Sequence, residues 1–281
     1  MSVPQRACPR PRVAALCVAL WVAAAGCAGP AEQALDRGRA LGFEVRRVEG
    51  APYPHVLLER PHGDGKAPTF VYLDGDADPA RVARRWPFDA TPSPPIALDL
   101  MAADPGPAVY LGRPGQLGAP APPRTWTLGR YGEDVVSSLV AALRRAGLTV
   151  DGEGVVLVGV SGGGTLAVLM AERLAATEAV VTVAGNLDVA AWTAHRREPP
   201  LVDSLDPALR PPLGASLVQL HLLGGRDRTV PPELARGFLE RQPGARVRRF
   251  PDFDHHCCWA SVWPGIAGEL RGELARDRPP D

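Results

Sequence analysis

Apolar residues in this chain fall into short dense blocks separated by polar, glycine-rich and proline-rich stretches. Residues 43–48 and 56–60 form the first two blocks. The Gly50-Ala51-Pro52 break between these strand-length runs predicts an opening antiparallel hairpin. Residues 70–73, 109–111, 155–160, 180–184, 217–223 and 247–250 are short and mostly apolar, the pattern of strands covered on both faces. Helical spacing appears over 133–146, 163–175 and 232–241, with a last stretch over 259–276. Strand and helix alternate, so the expected class is α/β, a mainly parallel central sheet with helices on both faces. Between residues 78 and 123 prolines break the rhythm, as in Thr91-Pro92-Ser93-Pro94-Pro95 and Ala119-Pro120-Ala121-Pro122-Pro123. This stretch reads as long surface loops around one strand, because core-like residues at 96–101 and 109–111 argue against an interdomain linker.

The N-terminus follows a different pattern. Arg6, Arg10 and Arg12 precede an uncharged run over 13–25 that ends in small residues, which predicts an export signal over 1–26. The run is short for a membrane span. Its end, Ala24-Ala25-Gly26-Cys27, resembles the bacterial lipobox, which implies diacylglycerol on the Cys27 thiol and cleavage just before it. Ala24 departs from the usual leucine, and an ordinary signal cleaved near Gly26 or Gly29 is the alternative. Several acyl chains on one N-terminus hold a membrane firmly, since each buried methylene contributes about 0.8 kcal/mol. The expected organisation is a signal peptide over 1–26, a lipidated tether over 27–42 that includes a lead-in helix, one folded domain over 43–276 and a polar tail over 277–281.

Composition narrows the partners. With 281 residues, 46% of them hydrophobic and 22% charged, the chain is long enough to bury the core of one large domain. Its 31 basic and 31 acidic residues balance, Lys66 is the single lysine, and no basic run exists to track phosphates, so nucleic acid is not an expected partner. Loss of Arg6, Arg10 and Arg12 with the signal leaves a small negative excess, which implies neither an acidic nor a basic substrate. Only Cys27, Cys257 and Cys258 would survive processing, so no long-range disulfide framework is expected.

The candidate chemistry centres on Gly159-Val160-Ser161-Gly162-Gly163, a G-x-S-x-G pattern placed after a strand-like run and before a helix-like one. A tight strand-to-helix turn of this kind lifts a serine hydroxyl above the sheet at a helix N-terminus, which favours developing negative charge. Ser161 is therefore the expected nucleophile of an α/β-hydrolase-type fold, in which acid and histidine follow the serine in chain order. Gly224-Gly225-Arg226-Asp227-Arg228-Thr229-Val230-Pro231 resembles the loop that carries the acid in many such proteins, and makes Asp227 the candidate. Asp188, after the preceding strand, is the rival. His255, in Asp252-Phe253-Asp254-His255-His256, is the candidate base, with its neighbour His256 as the alternative. The other histidines, His55, His62, His195 and His221, read as surface or structural groups. An oxyanion hole needs two backbone N–H groups, expected from Gly162 and from Asp76 in the Leu73-Asp74-Gly75-Asp76 loop, with Gly75 as the alternative to Asp76.

With these residues placed, residues 70–270 resemble a group of bacterial α/β-hydrolase lipoproteins. The likeness rests on Tyr72-Leu73-Asp74-Gly75-Asp76, Tyr110-Leu111-Gly112-Arg113-Pro114-Gly115-Gln116 and Ser161-Gly162-Gly163-Gly164. It continues through Thr182-Val183-Ala184-Gly185-Asn186-Leu187-Asp188, Ala191-Trp192-Thr193 and the His255 to Trp259 segment. Relatives commonly carry a cysteine where this chain has Gly115 and another a little later, so the resemblance implies that a loop disulfide of those proteins is absent here. It also implies an envelope location, with Ala28 rather than aspartate after the lipidated cysteine pointing to the outer membrane, facing the periplasm. Arg113 is open to two readings, a cation at the pocket mouth that binds substrate carboxylate or phosphate, or a buried brace for a loop.

Hydrolysis of a carboxylic ester or related acyl bond through an acyl-enzyme is the leading expectation, with a small-molecule ester or acyl compound as substrate and neither metal nor organic cofactor required. His255, His256, Cys257 and Cys258 are adjacent in the chain and cannot all face one ion. Amide or peptide cleavage on the same residues and a silent envelope binding protein are the alternatives. Cys257 and Cys258 read either as a vicinal disulfide or as two buried free thiols.

Overall fold

A computed structural model describes residues 28–60, 67–84, 88–149 and 154–276. The export signal, Cys27, His62, Lys66 and the polar tail lie outside the described residues.

Eight strands form one sheet: β1 (Glu44–Glu49), β2 (Pro54–Glu59), β3 (Thr69–Leu73), β4 (Ala108–Leu111), β5 (Val155–Val160), β6 (Thr177–Val183), β7 (Val218–Gly224) and β8 (Arg246–Phe250). Their order is β1-β2-β4-β3-β5-β6-β7-β8. β1 runs antiparallel to β2 and β2 antiparallel to β4, while every pairing from β4 to β8 is parallel. The opening hairpin and the parallel remainder are those read from the hydrophobic pattern.

Six longer helices flank the sheet: α1 (Pro30–Ala40), α2 (Ile96–Ala103), α3 (Glu133–Arg145), α4 (Gly162–Ala171), α5 (Val189–Arg196) and α6 (Trp259–Arg276). Alternate residues of each central strand feed two separate cores. Val156, Val158 and Val160 of β5 pack with α1, α2 and α6, whereas Val155 and Leu157 pack with α3 and α4. All six residues of β5 are buried, which is why its sequence runs apolar without alternation. Among the described residues no helix is long and apolar enough to cross a membrane.

Four expectations need correction. The run over 247–250, read as a strand covered on both faces, is the edge strand β8, in which Arg246, Val247, Arg248 and Arg249 are exposed and Phe250 is half-buried. The folded body does not begin at residue 43. The lead-in helix expected before residue 43 is present as α1, but it lies against the sheet with Ala34 and Gly38 buried, and a Cβ on Gly38 would sit 2.9 Å from Leu58 Cδ1, so it belongs to the core rather than to a tether. The stretch around 96–101, read as part of a loop, is the helix α2; five of its eight residues are buried, so it lacks the one-sided pattern by which a surface helix is recognised. The stretch over 232–241 is two short turns, a 3-10 turn Pro232–Ala235 and a helical turn Arg236–Leu239, rather than one helix.

Candidate active site

Ser161 occupies the single residue between the end of β5 and the start of α4, with φ 53° and ψ −121°. A non-glycine residue at positive φ is held there against its own preference, and the holding is done by glycines around it. A Cβ on Gly159 would come within 2.1 Å of the Gly163 carbonyl oxygen, and one on Gly163 within 2.2 Å of the Leu73 carbonyl oxygen. Both positions therefore exclude any side chain. The turn is pinned further by hydrogen bonds, from Ser161 N–H to the Val183 carbonyl (2.9 Å) and from Asn186 N–H to the Ser161 carbonyl (3.1 Å).

His255 stands beside this serine. Its Nε2 lies 3.0 Å from Ser161 Oγ and its Nδ1 lies 2.7 Å from Asp227 Oδ2. With Nδ1–H donating to the carboxylate, Nε2 presents a lone pair to the hydroxyl. Asp227 is fixed in turn, because its Oδ1 accepts the N–H groups of Thr229 and Val230 at 2.8 Å each. Asp227 and His255 are brought together by direct contact between their loops. Gly225 N–H donates to the Phe250 carbonyl and Arg226 N–H to the Phe253 carbonyl, and Cβ atoms on Gly224 or Gly225 would strike the Phe253 and Pro251 carbonyls at 2.7 and 2.6 Å. The Gly224-Gly225 pair is thus what allows Asp227 to approach His255. Phe250 and Phe253 stack on each other and both meet Trp259 edge-on, and the Trp259 indole donates to the His255 carbonyl at 3.3 Å.

The two alternative residues lie elsewhere. Asp188 caps α5 by accepting the Ala191 N–H at 2.8 Å. His256 is exposed, its ring edge-on to His255 with centroids 5.2 Å apart, and its backbone N–H is committed to Asp254. Replacing Asp227 by Asn presents an amide N–H to Nδ1 and favours the wrong imidazole tautomer, so kcat should fall by about 10⁴. Asp188→Asn should stay within a few fold, since Asn caps a helix as well as Asp does. Steady-state rates on one soluble ester decide between them, and equal losses would refute the assignment of the acid.

Gly162 opens α4, so its N–H belongs to the first helical turn, whose N–H groups have no partner within the helix. The facing loop is Asp74-Gly75-Asp76. Gly75 N–H donates to Asp74 Oδ1 at 2.9 Å. Asp76 is clamped by its side chain: Arg113 Nη1 donates to Oδ1 at 2.7 Å, Arg130 Nη1 to Oδ2 at 3.2 Å, and the Tyr131 hydroxyl to Oδ2. Burial alone would push the Asp76 carboxyl up, but the two guanidiniums outweigh it and hold it below the usual carboxylate range. The same Arg113 nitrogen donates to the Asp74 carbonyl and Gln116 Nε2 donates to the Gly75 carbonyl, both at 3.3 Å. Arg113 is 4% exposed and spent on this loop, so it is a brace and not the substrate-binding cation that the sequence also allowed. Arg130 and Tyr131 were not singled out from the sequence; their one signal is a loop position just before a helix, between Gly129 and Gly132.

Asp74 differs from its neighbour. It accepts N–H groups from Gly75 and Ala97, yet burial pushes its carboxyl up to about 7. A carboxyl whose folded pKa is raised stabilises the fold fully below its ordinary value near 3.8 and loses that contribution as pH climbs toward about 7. Unfolding free energies from urea melts at pH 5 and pH 8 should therefore move in favour of Asp74→Asn, relative to wild type, at the higher pH. A constant difference would refute the raised pKa.

A cavity of about 230 Å³ opens next to the serine, lined among others by Ser161, His255, His256, Asp74, Asp78, Asp89, Ile96 and Pro30. His55 and His221 are buried structural groups, the first bonded to the Gly112 carbonyl and Ser138 Oγ, the second to Thr182 Oγ1, and His195 is exposed. Cys257 and Cys258 are joined as a vicinal disulfide on an exposed loop, so the reading as two buried thiols does not hold. Among the described residues no group of three or more His, Cys, Asp or Glu side chains could hold a metal ion.

This strand order and serine turn define an α/β-hydrolase fold, and solved structures share it. An esterase from Pyrococcus furiosus is 15% identical with a TM-score of 0.57, covering 85% of this chain and 94% of its own. A lidless α/β serine hydrolase from Xanthomonas campestris is 14% identical with a TM-score of 0.52, over 85% and 96% of the two chains. A membrane phospholipase A described as a bacterial virulence factor is 18% identical with a TM-score of 0.56, over 94% of this chain and 98% of that one. At these identities the likeness is one of fold. No family model matches the chain, and no curated protein is similar to it in sequence.

Proposed function

We propose that the protein is a serine hydrolase that cleaves a carboxylic ester or related acyl bond through an acyl-enzyme, and that Cys27 tethers it by lipid to the bacterial envelope. The observation that carries the chemistry is the unbroken chain from Ser161 Oγ through His255 to Asp227, at 3.0 and 2.7 Å. His255 Nε2 takes the Ser161 proton as Oγ bonds to the acyl carbon, and the resulting oxyanion is received by the Gly162 and Asp76 N–H groups. Collapse expels the alcohol, which takes the proton from His255. Water then gives a proton to His255 and attacks the acyl carbon, releasing the acid and restoring Ser161. The esterase and phospholipase among the structures of the same fold are in keeping with an ester substrate.

A fluorophosphonate probe tests the chemistry. It should label the purified protein once, on the peptide containing Ser161, and failure to label would count against an activated serine. The tether is tested separately. Replacing Cys27 by Ser should move the protein from the membrane fraction to the soluble one, and continued sedimentation with membranes would refute lipid anchoring.

A further inference from the structure

The N-terminal segment enters the fold at the catalytic cavity itself. Pro30, the first residue of α1, lines the same cavity as Ser161 and His255. The next N–H, that of Ala31, donates to Asp89 Oδ2 at 2.9 Å, and Asp89 lines that cavity too. The two residues before Pro30 are also tied down. Ala28 offers its carbonyl to Gln33 Nε2 at 2.6 Å and Gly29 offers its own to the Gln33 N–H at 2.9 Å. Farther along α1, Arg37 pairs with Asp99 of α2, and Gly38 packs on Leu58, so the helix is locked to the domain. No slack remains between the cavity wall and residue 28.

Covalent geometry extends this by one residue. Cys27 is bonded to Ala28, and three residues of chain reach at most about 10 Å from Pro30. The headgroup layer on each side of a bilayer is about 5–8 Å deep. Acyl chains on Cys27 would therefore begin no more than about 10 Å from a residue of the cavity wall, slightly more than one headgroup layer. The cavity wall also carries the exposed guanidinium of Arg81, a group suited to a headgroup layer, beside the carboxylates of Asp78 and Asp89.

From this placement we infer that the protein's own anchor holds the catalytic cavity mouth-on to the membrane, and that its substrate is the acyl ester of a lipid resident in that membrane. The inference rests on the lipid-tethered hydrolase reading and goes beyond it, since an anchor alone places no constraint on where the cavity points. A hydrolase of dissolved esters gains nothing from a cavity pressed to the bilayer. One that takes a lipid ester gains a high local concentration and a short path for the acyl chain.

The test uses the full-length lipidated protein reconstituted into phosphatidylcholine and phosphatidylethanolamine vesicles that contain a fluorogenic diacyl phosphatidylcholine, with p-nitrophenyl butyrate as the soluble ester. A Gly/Ser spacer of about 20 residues inserted between Cys27 and Ala28 keeps the anchor and leaves α1 intact, but gives a reach of roughly 25 Å and frees the orientation. Wild type should release fatty acid from vesicle lipid. The spacer variant should match wild type on p-nitrophenyl butyrate, float with the vesicles equally well, and hydrolyse vesicle lipid at least tenfold more slowly. Equal lipid hydrolysis by the two, or none by wild type while p-nitrophenyl butyrate is cleaved, would overturn the inference and leave the hydrolase standing. Equal flotation of wild type and Cys27→Ser would instead remove the anchor, and with it the inference, whereas loss of all ester cleavage in wild type would refute the hydrolase reading.

Discussion

Ser161→Ala should lower kcat on any soluble ester by about 10⁶, close to 8 kcal/mol of barrier, while the fold stays intact. Both halves of this expectation come from the local geometry. The hydroxyl hydrogen-bonds to His255 Nε2, and the backbone of the turn is set by contacts that the hydroxyl does not make: the glycines at 159 and 163 and the bonds to Val183 and Asn186. Alanine adopts the same φ of 53° at much the same strain as serine, so unfolding free energy should change by less than about 0.5 kcal/mol. On the proposed mechanism, the cavity and the oxyanion donors would remain after the change and account for the residual rate. Activity within a few fold of wild type, with an unchanged melting curve, would remove Ser161 as nucleophile.

How much of this was legible before any coordinates depends on whether a feature leaves a local trace. Strands covered on both faces are mostly apolar, so β3 and β5 announce themselves as short runs, and β7 does so despite its buried Gln219 and His221. The serine turn has a local trace as well, since a Cβ on Gly159 or Gly163 would come within 2.1 or 2.2 Å of a neighbouring carbonyl oxygen, so nothing larger than glycine fits. Helix α2 left none, because a helix with five of its eight residues buried and none exposed shows no periodic contrast, and the prolines before it look like a loop. The clamp on Asp76 is illegible for another reason. Its partners Arg113, Arg130 and Tyr131 lie 37, 54 and 55 positions away, and long-range ion pairs between loops have no characteristic spacing. The sequence named Arg113 and left its role open between two physical possibilities; burial decides it, because a guanidinium committed to Asp76 and to the Asp74 carbonyl has few donors left for a ligand. The position of α1 is the case with the largest functional consequence. Nothing in its composition reveals that Pro30 would stand on the cavity wall, because that depends on where Asp89 and the base loop come together.

Two adjacent histidines pose the sharpest question about this site, and His255→Ala should answer it with a loss of about 10⁶ in kcat, comparable to loss of the nucleophile. One imidazole must reach both a hydroxyl and a carboxylate, and the ring of His255 does so across its two nitrogens. Its removal leaves Ser161 without a proton acceptor and one oxygen of Asp227 without a partner, although Thr229 and Val230 still satisfy the other. His256 cannot substitute by a simple side-chain rotation. Its backbone N–H and that of Cys257 are both held by Asp254 Oδ1 at 2.8 Å, which directs its ring outward beside His255 rather than between serine and acid. Because His256 also lines the cavity, His256→Ala should change KM by a few fold and leave kcat near wild type. The pair of variants is best read with p-nitrophenyl esters at saturating and limiting concentrations, so that binding and turnover separate. A larger kcat loss for His256→Ala than for His255→Ala would move the base to the exposed ring, and would require the loop held by Asp254 to rearrange when substrate binds.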